Sequence, residues 1–115
     1  MAATTVYAAP LDDNGWKAIA RHLRASATDA KDDRSGDALK NCNAAKSYAA
    51  HYDYDAGIAG RIEICFGLAA IFRRDRSAAC AAYARALALL TGSEFKNDAQ
   101  LDLDQAKRSH GELGC

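Results

Sequence analysis

Proline is almost missing, with one in 115 residues, and β-branched side chains are sparse. A chain this poor in strand formers excludes an all-β fold. Its abundant alanine, which loses no side-chain entropy in a helix, points to an all-α one. Net charge is missing too: Lys plus Arg and Asp plus Glu both number 15. No general field therefore recruits nucleic acid or anionic lipid, and neither is expected as a partner. The four cysteines include no Cys-x-x-Cys pair, which argues against zinc and dithiol redox motifs. No apolar run reaches the roughly 20 residues that span a bilayer, so no membrane insertion is expected. The amino end lacks the basic, apolar and small-residue regions of a signal peptide. Either the protein is cytosolic or its signal has been removed, and Met1 followed by Ala2-Ala3-Thr4-Thr5 reads as a start placed on a mature exported end.

At this length the chain is a single domain with a modest core. Residues 1–10 form an extended lead ending at Pro10, and residues 11–115 form the domain. Its centre is the stretch from Arg61 to Arg73, in which Glu63 is the only charge between the bounding arginines. Ile58, Ile62, Cys65, Ala69 and Phe72 recur at steps of four and three on one face. Ile64, Phe66, Leu68 and Ile71 cover the other sides, so this helix needs neighbours on several sides.

Four further helices follow from the same spacing. Asp12, Asp13 or Asn14 caps the first, with Trp16, Ile19, Ala20, Leu23 and Ala27 inward and Lys17, Arg21 and Arg24 outward. A polar turn covers Asp29 to Gly36. The second runs from about Asp37 to Tyr52, with Leu39, Cys42, Ala45, Ala49 and Tyr52 inward. Asp55 caps the central helix, and Asp75 or Ser77 caps the fourth, which carries Cys80, Tyr83, Leu87 and Leu90. After the loop from Thr91 to Asn97, the fifth places Ala99, Leu103, Ala106, His110 and Leu113 on one stripe. The expected architecture is a compact up-and-down bundle of about five helices.

An even cysteine count in a small domain points to two disulfides and an oxidising compartment. If the second and third helices fold back near Tyr54, Cys42 and Cys65 stand at one height. Cys65 and Cys80 are offset by about one helical turn across their own hairpin, roughly 6 Å. The expected pairs are Cys42 with Cys65 and Cys80 with Cys115.

No catalytic signature is present, and no cofactor or metal is expected. His22, His51 and His110 are dispersed over three helices. Asp53 and Asp55 beside His51 lie at a helix junction, where capping and solvation account for them. Cys42, Cys65 and Cys80 lie on apolar stripes, whereas a nucleophilic thiolate needs exposure and a low pKa. Arg73, Arg74 and Arg76 make a basic corner, with Arg34 at the same end. At the opposite end, aromatics in turns and a glycine-serine loop mark the preferred partner-binding surface: Tyr52, Tyr54, Asp55, Gly92, Ser93, Glu94 and Phe95.

Residues 63–91 resemble a tetratricopeptide repeat through Gly67, Ala79, Tyr83 and Ala86. They depart from that pattern at Glu63, Ala70 and Thr91. This resemblance implies a small adaptor that binds a peptide or protein. As a whole, through its size, inferred helix count, alanine-rich composition and inferred export, the chain resembles the all-helical periplasmic immunity proteins of bacteria with type VI secretion. That resemblance implies a non-enzymatic protein, often a homodimer, that inhibits a secreted Cys-His peptidoglycan amidase by blocking its substrate cleft.

Overall fold

The computed structural model describes residues 9–53, 56–91 and 96–115, with side chains excepted at 9, 53 and 96–99. It is all-α. Its helices are α1 (Asp13–Lys31), α2 (Ser35–Ala49), α3 (Ala56–Phe72), α4 (Arg76–Thr91) and α5 (Lys96–Glu112). The one strand pairing among the described residues is parallel and two residues long, β1 (Ala9–Pro10) on β2 (Tyr52–Asp53). It ties the lead to the junction before α3. The molecule measures 48 × 30 × 28 Å.

Three helix ends differ from the sequence expectation. α1 continues through the polar residues Asp29 and Lys31, and α2 begins at Ser35 and stops at Ala49. The turn between them is only Asp32-Asp33-Arg34. Its tightness comes from Asp33, which adopts a left-handed φ of 61°. Asp33 N–H bonds the Ala30 carbonyl and Arg34 N–H the Asp29 carbonyl. This is the Schellman closure usually made with glycine, so no glycine marks it in the sequence.

α3 ends in the same way. Arg74 has a φ of 61°, its N–H bonds the Ile71 carbonyl, and Asp75 N–H bonds the Ala70 carbonyl. Asp75 then caps α4, accepting from Ala78 N–H at 3.0 Å. α5 closes similarly through Gly114, whose φ is 70°.

The equivalence extends through both hairpins. Asp33 and Arg74 are 41 residues apart, and so are the buried pairs Ala38 and Ala79, Ala45 and Ala86, and Ala49 and Leu90. Where Ser26 meets Cys42 in the first hairpin, Gly67 meets Tyr83 in the second, again 41 residues on. The chain is therefore two like hairpins, α1–α2 and α3–α4, followed by α5 in the place of a third hairpin's first helix.

Three apolar clusters fill the layers. Ile19, Ala45, Ala49 and Ile62 form one, and Ala30, Ala38, Cys42, Cys65 and Ala69 another, both between the first hairpin and α3. Ile64, Tyr83, Ala86, Leu90 and Ala106 join α3, α4 and α5. As its apolar circumference predicts, α3 packs against all four other helices. Small residues let the helices approach closely: a Cβ on Gly60 would stand 2.5 Å from Leu90 Cγ.

Both expected disulfides are present, Cys42–Cys65 and Cys80–Cys115, each with a Cα separation of 5.7 Å. Each links the second helix of one hairpin to the segment that packs next, α3 in the first case and the end of α5 in the second. The two hairpins and α5 are thus covalently stapled in series. Such pairs are compatible with an oxidising location. Among the described residues no helix is long and apolar enough to cross a membrane.

Candidate partner-binding surfaces

The expected binding end lies where α1, α3 and α5 begin. Asp12 caps α1, its carboxylate accepting from Gly15 N–H at 2.7 Å. The Tyr52 ring packs directly over Gly15, where an added Cβ would meet Tyr52 Cζ at 2.7 Å. Tyr52 is half-buried, so its ring closes this end of the bundle and exposes only part of its surface. Tyr54, Asp55, Gly92, Ser93, Glu94 and Phe95 lie outside the described residues.

Beside Tyr52, three helices meet through one side chain. The Arg61 guanidinium from α3 lies 5.6 Å from the centroid of the Trp16 ring on α1, and its Nε donates to Asp102 on α5 at 2.6 Å. All three side chains are half-buried. Partial desolvation strengthens a charge-assisted bond, and the indole face supplies a cation–π contact. Sequence reasoning placed Trp16 on an inward stripe and Arg61 at the edge of the central apolar stretch. It missed their meeting with Asp102, because only the side-by-side placing of α1, α3 and α5 creates it.

A second polar chain runs along the α1–α2 seam. Asn41 Nδ2 donates to Asp29 at 2.8 Å, which leaves its Oδ1 to accept from His22 Nδ1–H at 2.9 Å. Arg34 reaches the other Asp29 oxygen at 2.9 Å. The His22 ring stacks on Tyr48, centroids 5.5 Å apart, and Tyr48 remains 43% exposed. This arrangement orients an imidazole. Even so, among the described residues no three His, Cys, Asp or Glu side chains come together as a metal-binding group.

The basic corner is largely engaged in closing the bundle. Arg76 Nε donates to the Leu113 carbonyl at 2.7 Å and its Nη2 to the Gly114 carbonyl at 2.8 Å. Arg34 pairs with Asp29 and Asp32, and Arg73 with Asp75. These contacts satisfy helix-end carbonyls and neighbouring carboxylates, leaving little of the cluster aimed at a ligand.

One interior titratable group is shifted. Burial pushes the Tyr83 phenol above its ordinary value, and nearby Ser109 partly opposes the shift. The hydroxyl makes no hydrogen bond of good geometry. Tyr83 therefore serves packing, as a ring against Gly67.

Comparison of the chain with protein-family models, with curated proteins and with solved structures finds no match.

Proposed function

We propose that this chain is an exported protein-binding module that acts as an immunity protein, inhibiting a secreted Cys-His peptidoglycan amidase by occupying its active-site cleft from the periplasm. The observation that carries the reading is the serial stapling of its helical layers. Cys42–Cys65 and Cys80–Cys115 hold a small core rigid under oxidising conditions, and a rigid surface loses less freedom on binding. In this reading the contact end comprises Tyr52, Tyr54, Asp55 and residues 92–95. A homodimer presenting two such ends belongs to the proposal.

The test mixes the purified chain with papain-like peptidoglycan amidases and follows complex formation by size-exclusion chromatography together with residual amidase activity. A stoichiometric complex with lost activity is expected. Failure to bind any such amidase would remove the immunity reading.

A second reading is a tetratricopeptide-like adaptor for a peptide or protein tail. The packing of Tyr83 on Gly67, flanked by buried Ala79 and Ala86, favours it. Binding of an extended peptide with no effect on any amidase would select this alternative.

A further inference from the structure

The 41-residue correspondence makes one face comparable on α1, α3 and α5. On α3 it carries Ile58, Ile62, Cys65, Ala69 and Phe72, and all but Phe72 are covered or half-covered by the first hairpin. On α5 the corresponding Leu103, Ala106, His110 and Leu113 are likewise buried or half-buried. On α1 the same positions are Lys17, Arg21, Arg24, Thr28 and Lys31, and every one is exposed. The face that binds the preceding layer elsewhere is, on α1, a cationic ridge.

A polar outer face is what the end of a stacked array needs for solubility. Polarity alone does not explain a single sign. The outward positions of α5 carry Leu101, Gln105, Arg108 and Glu112, a mixed and nearly neutral set. On α1 four cations stand at steps of four, three and seven, and none forms an ion pair among the described residues. Like charges three and four residues apart destabilise a helix by a few tenths of a kcal/mol per pair. An opposite charge on a ligand relieves this cost.

The geometry points to a docking surface on α1 for the acidic face of a helix or loop of a partner protein. The ridge from Lys17 to Lys31 extends about 21 Å at 1.5 Å per residue. Exposed Asp12 and Asp13 bound it at one end, and exposed Asp32 and Asp33 at the other. A short acidic segment fits between these carboxylates. A continuous polyanion such as nucleic acid, or an extended anionic membrane, runs into them. The inference rests on the reading of this chain as a protein-binding module, and it adds a second contact surface whose partner chemistry is acidic.

The probe is a 20-residue helical peptide with glutamate along one face, titrated into the isotope-labelled full chain. A glutamine version, a 20-base-pair DNA duplex and phosphatidylserine-containing vesicles serve as competitors in class. Amide shifts centred on residues 17–31 are expected, with affinity falling as salt rises. The triple variant Lys17→Gln, Arg21→Gln, Arg24→Gln should bind the acidic peptide at least tenfold more weakly while keeping its helicity. Equal affinity in that variant, shifts centred elsewhere, or tighter binding of DNA or vesicles would overturn the assignment. With a cognate amidase in hand, affinity lost on Phe95→Ala yet unchanged in the triple variant sinks the ridge alone. Ridge-dependent peptide binding without any amidase partner sustains the ridge and removes the immunity reading.

Discussion

Tyr83 occupies the space that a side chain on Gly67 would need: an added Cβ would meet the ring's Cε2 at 2.7 Å. α3 and α4 approach as closely as they do because one residue has no side chain and the other supplies a fully buried ring. Gly67→Ala is expected to destabilise the fold by up to about 2 kcal/mol, since overpacking costs about 1–3 kcal/mol and the gain in helix propensity returns about 1. Gly111→Ala, with open space around it, should instead stabilise by about 0.5–1 kcal/mol. Chemical denaturation of the two variants checks the contrast, and equal effects would contradict the close-packed hairpin.

The Tyr83 hydroxyl is buried without a well-formed hydrogen bond. Tyr83→Phe should therefore be neutral or stabilising by up to about 1 kcal/mol, whereas Tyr83→Ala should cost about 3–5 kcal/mol. Because the folded phenol titrates above its unfolded value, the unfolded state releases its proton first. Stability falls as pH rises beyond about 10, the unfolded tyrosine value. The Phe variant should lose less stability across that range, measured by urea denaturation at pH 8 and pH 10.5.

Arg74 carries a side chain in a backbone region that disfavours one. Arg74→Gly should stabilise by about 1 kcal/mol, the order of the left-handed penalty for L-residues. A thermal melt that shifts downward would argue that the Arg74 side chain itself holds the corner.

Reduction should act on the two seams separately. Removing Cys80–Cys115 by serine substitution at both positions releases the carboxyl end of α5 from α4. Hydrogen exchange should rise in α5 and stay slow in α1 and α2. Each bridge is worth about 3–4 kcal/mol in the loop-entropy model. Uniformly faster exchange would contradict stapling in series.

For partner binding, Phe95→Ala or Tyr54→Asp should weaken the complex with a cognate amidase by at least about 2 kcal/mol, with helicity unchanged in circular dichroism. Unchanged affinity in both variants would remove this end as the contact surface.

Much of the fold is legible in the residues because its determinants are local or follow from chain reversal. The five apolar stripes mark the helices, and height matching across the bend near Tyr54 pairs Cys42 with Cys65. The 41-residue recurrence is not legible, because apart from the alanine pairs Ala38 with Ala79 and Ala45 with Ala86 most equivalent positions hold unlike chemistry. Cys42 answers to Tyr83, Ser26 to Gly67, and Lys17, Arg21, Arg24 and Lys31 of α1 to Ile58, Ile62, Cys65 and Phe72 of α3. Ser26, a polar residue that belongs to no apolar stripe, is buried, its hydroxyl donating to the Ala38 carbonyl at 2.8 Å beside the Cys42 sulfur. The end of α1 was placed too early because Asp29 and Lys31 look like turn residues, while the left-handed turn falls on Asp33. Of the candidate site, Tyr52 was identified as an aromatic at the bundle's end. The Trp16–Arg61–Asp102 meeting depends on three non-adjacent helices, and no spacing rule within one helix encodes it.

Each layer of this helical protein is covalently stapled to the next, an arrangement compatible with an oxidising compartment. Intact-mass analysis of the protein purified without reductant tests it most directly, using alkylation under denaturing conditions before and after reduction, with peptide mapping of linked cysteines. The account predicts two intramolecular bridges, Cys42 to Cys65 and Cys80 to Cys115, and no free thiol. Four alkylated cysteines before reduction, or any other pairing, would contradict it.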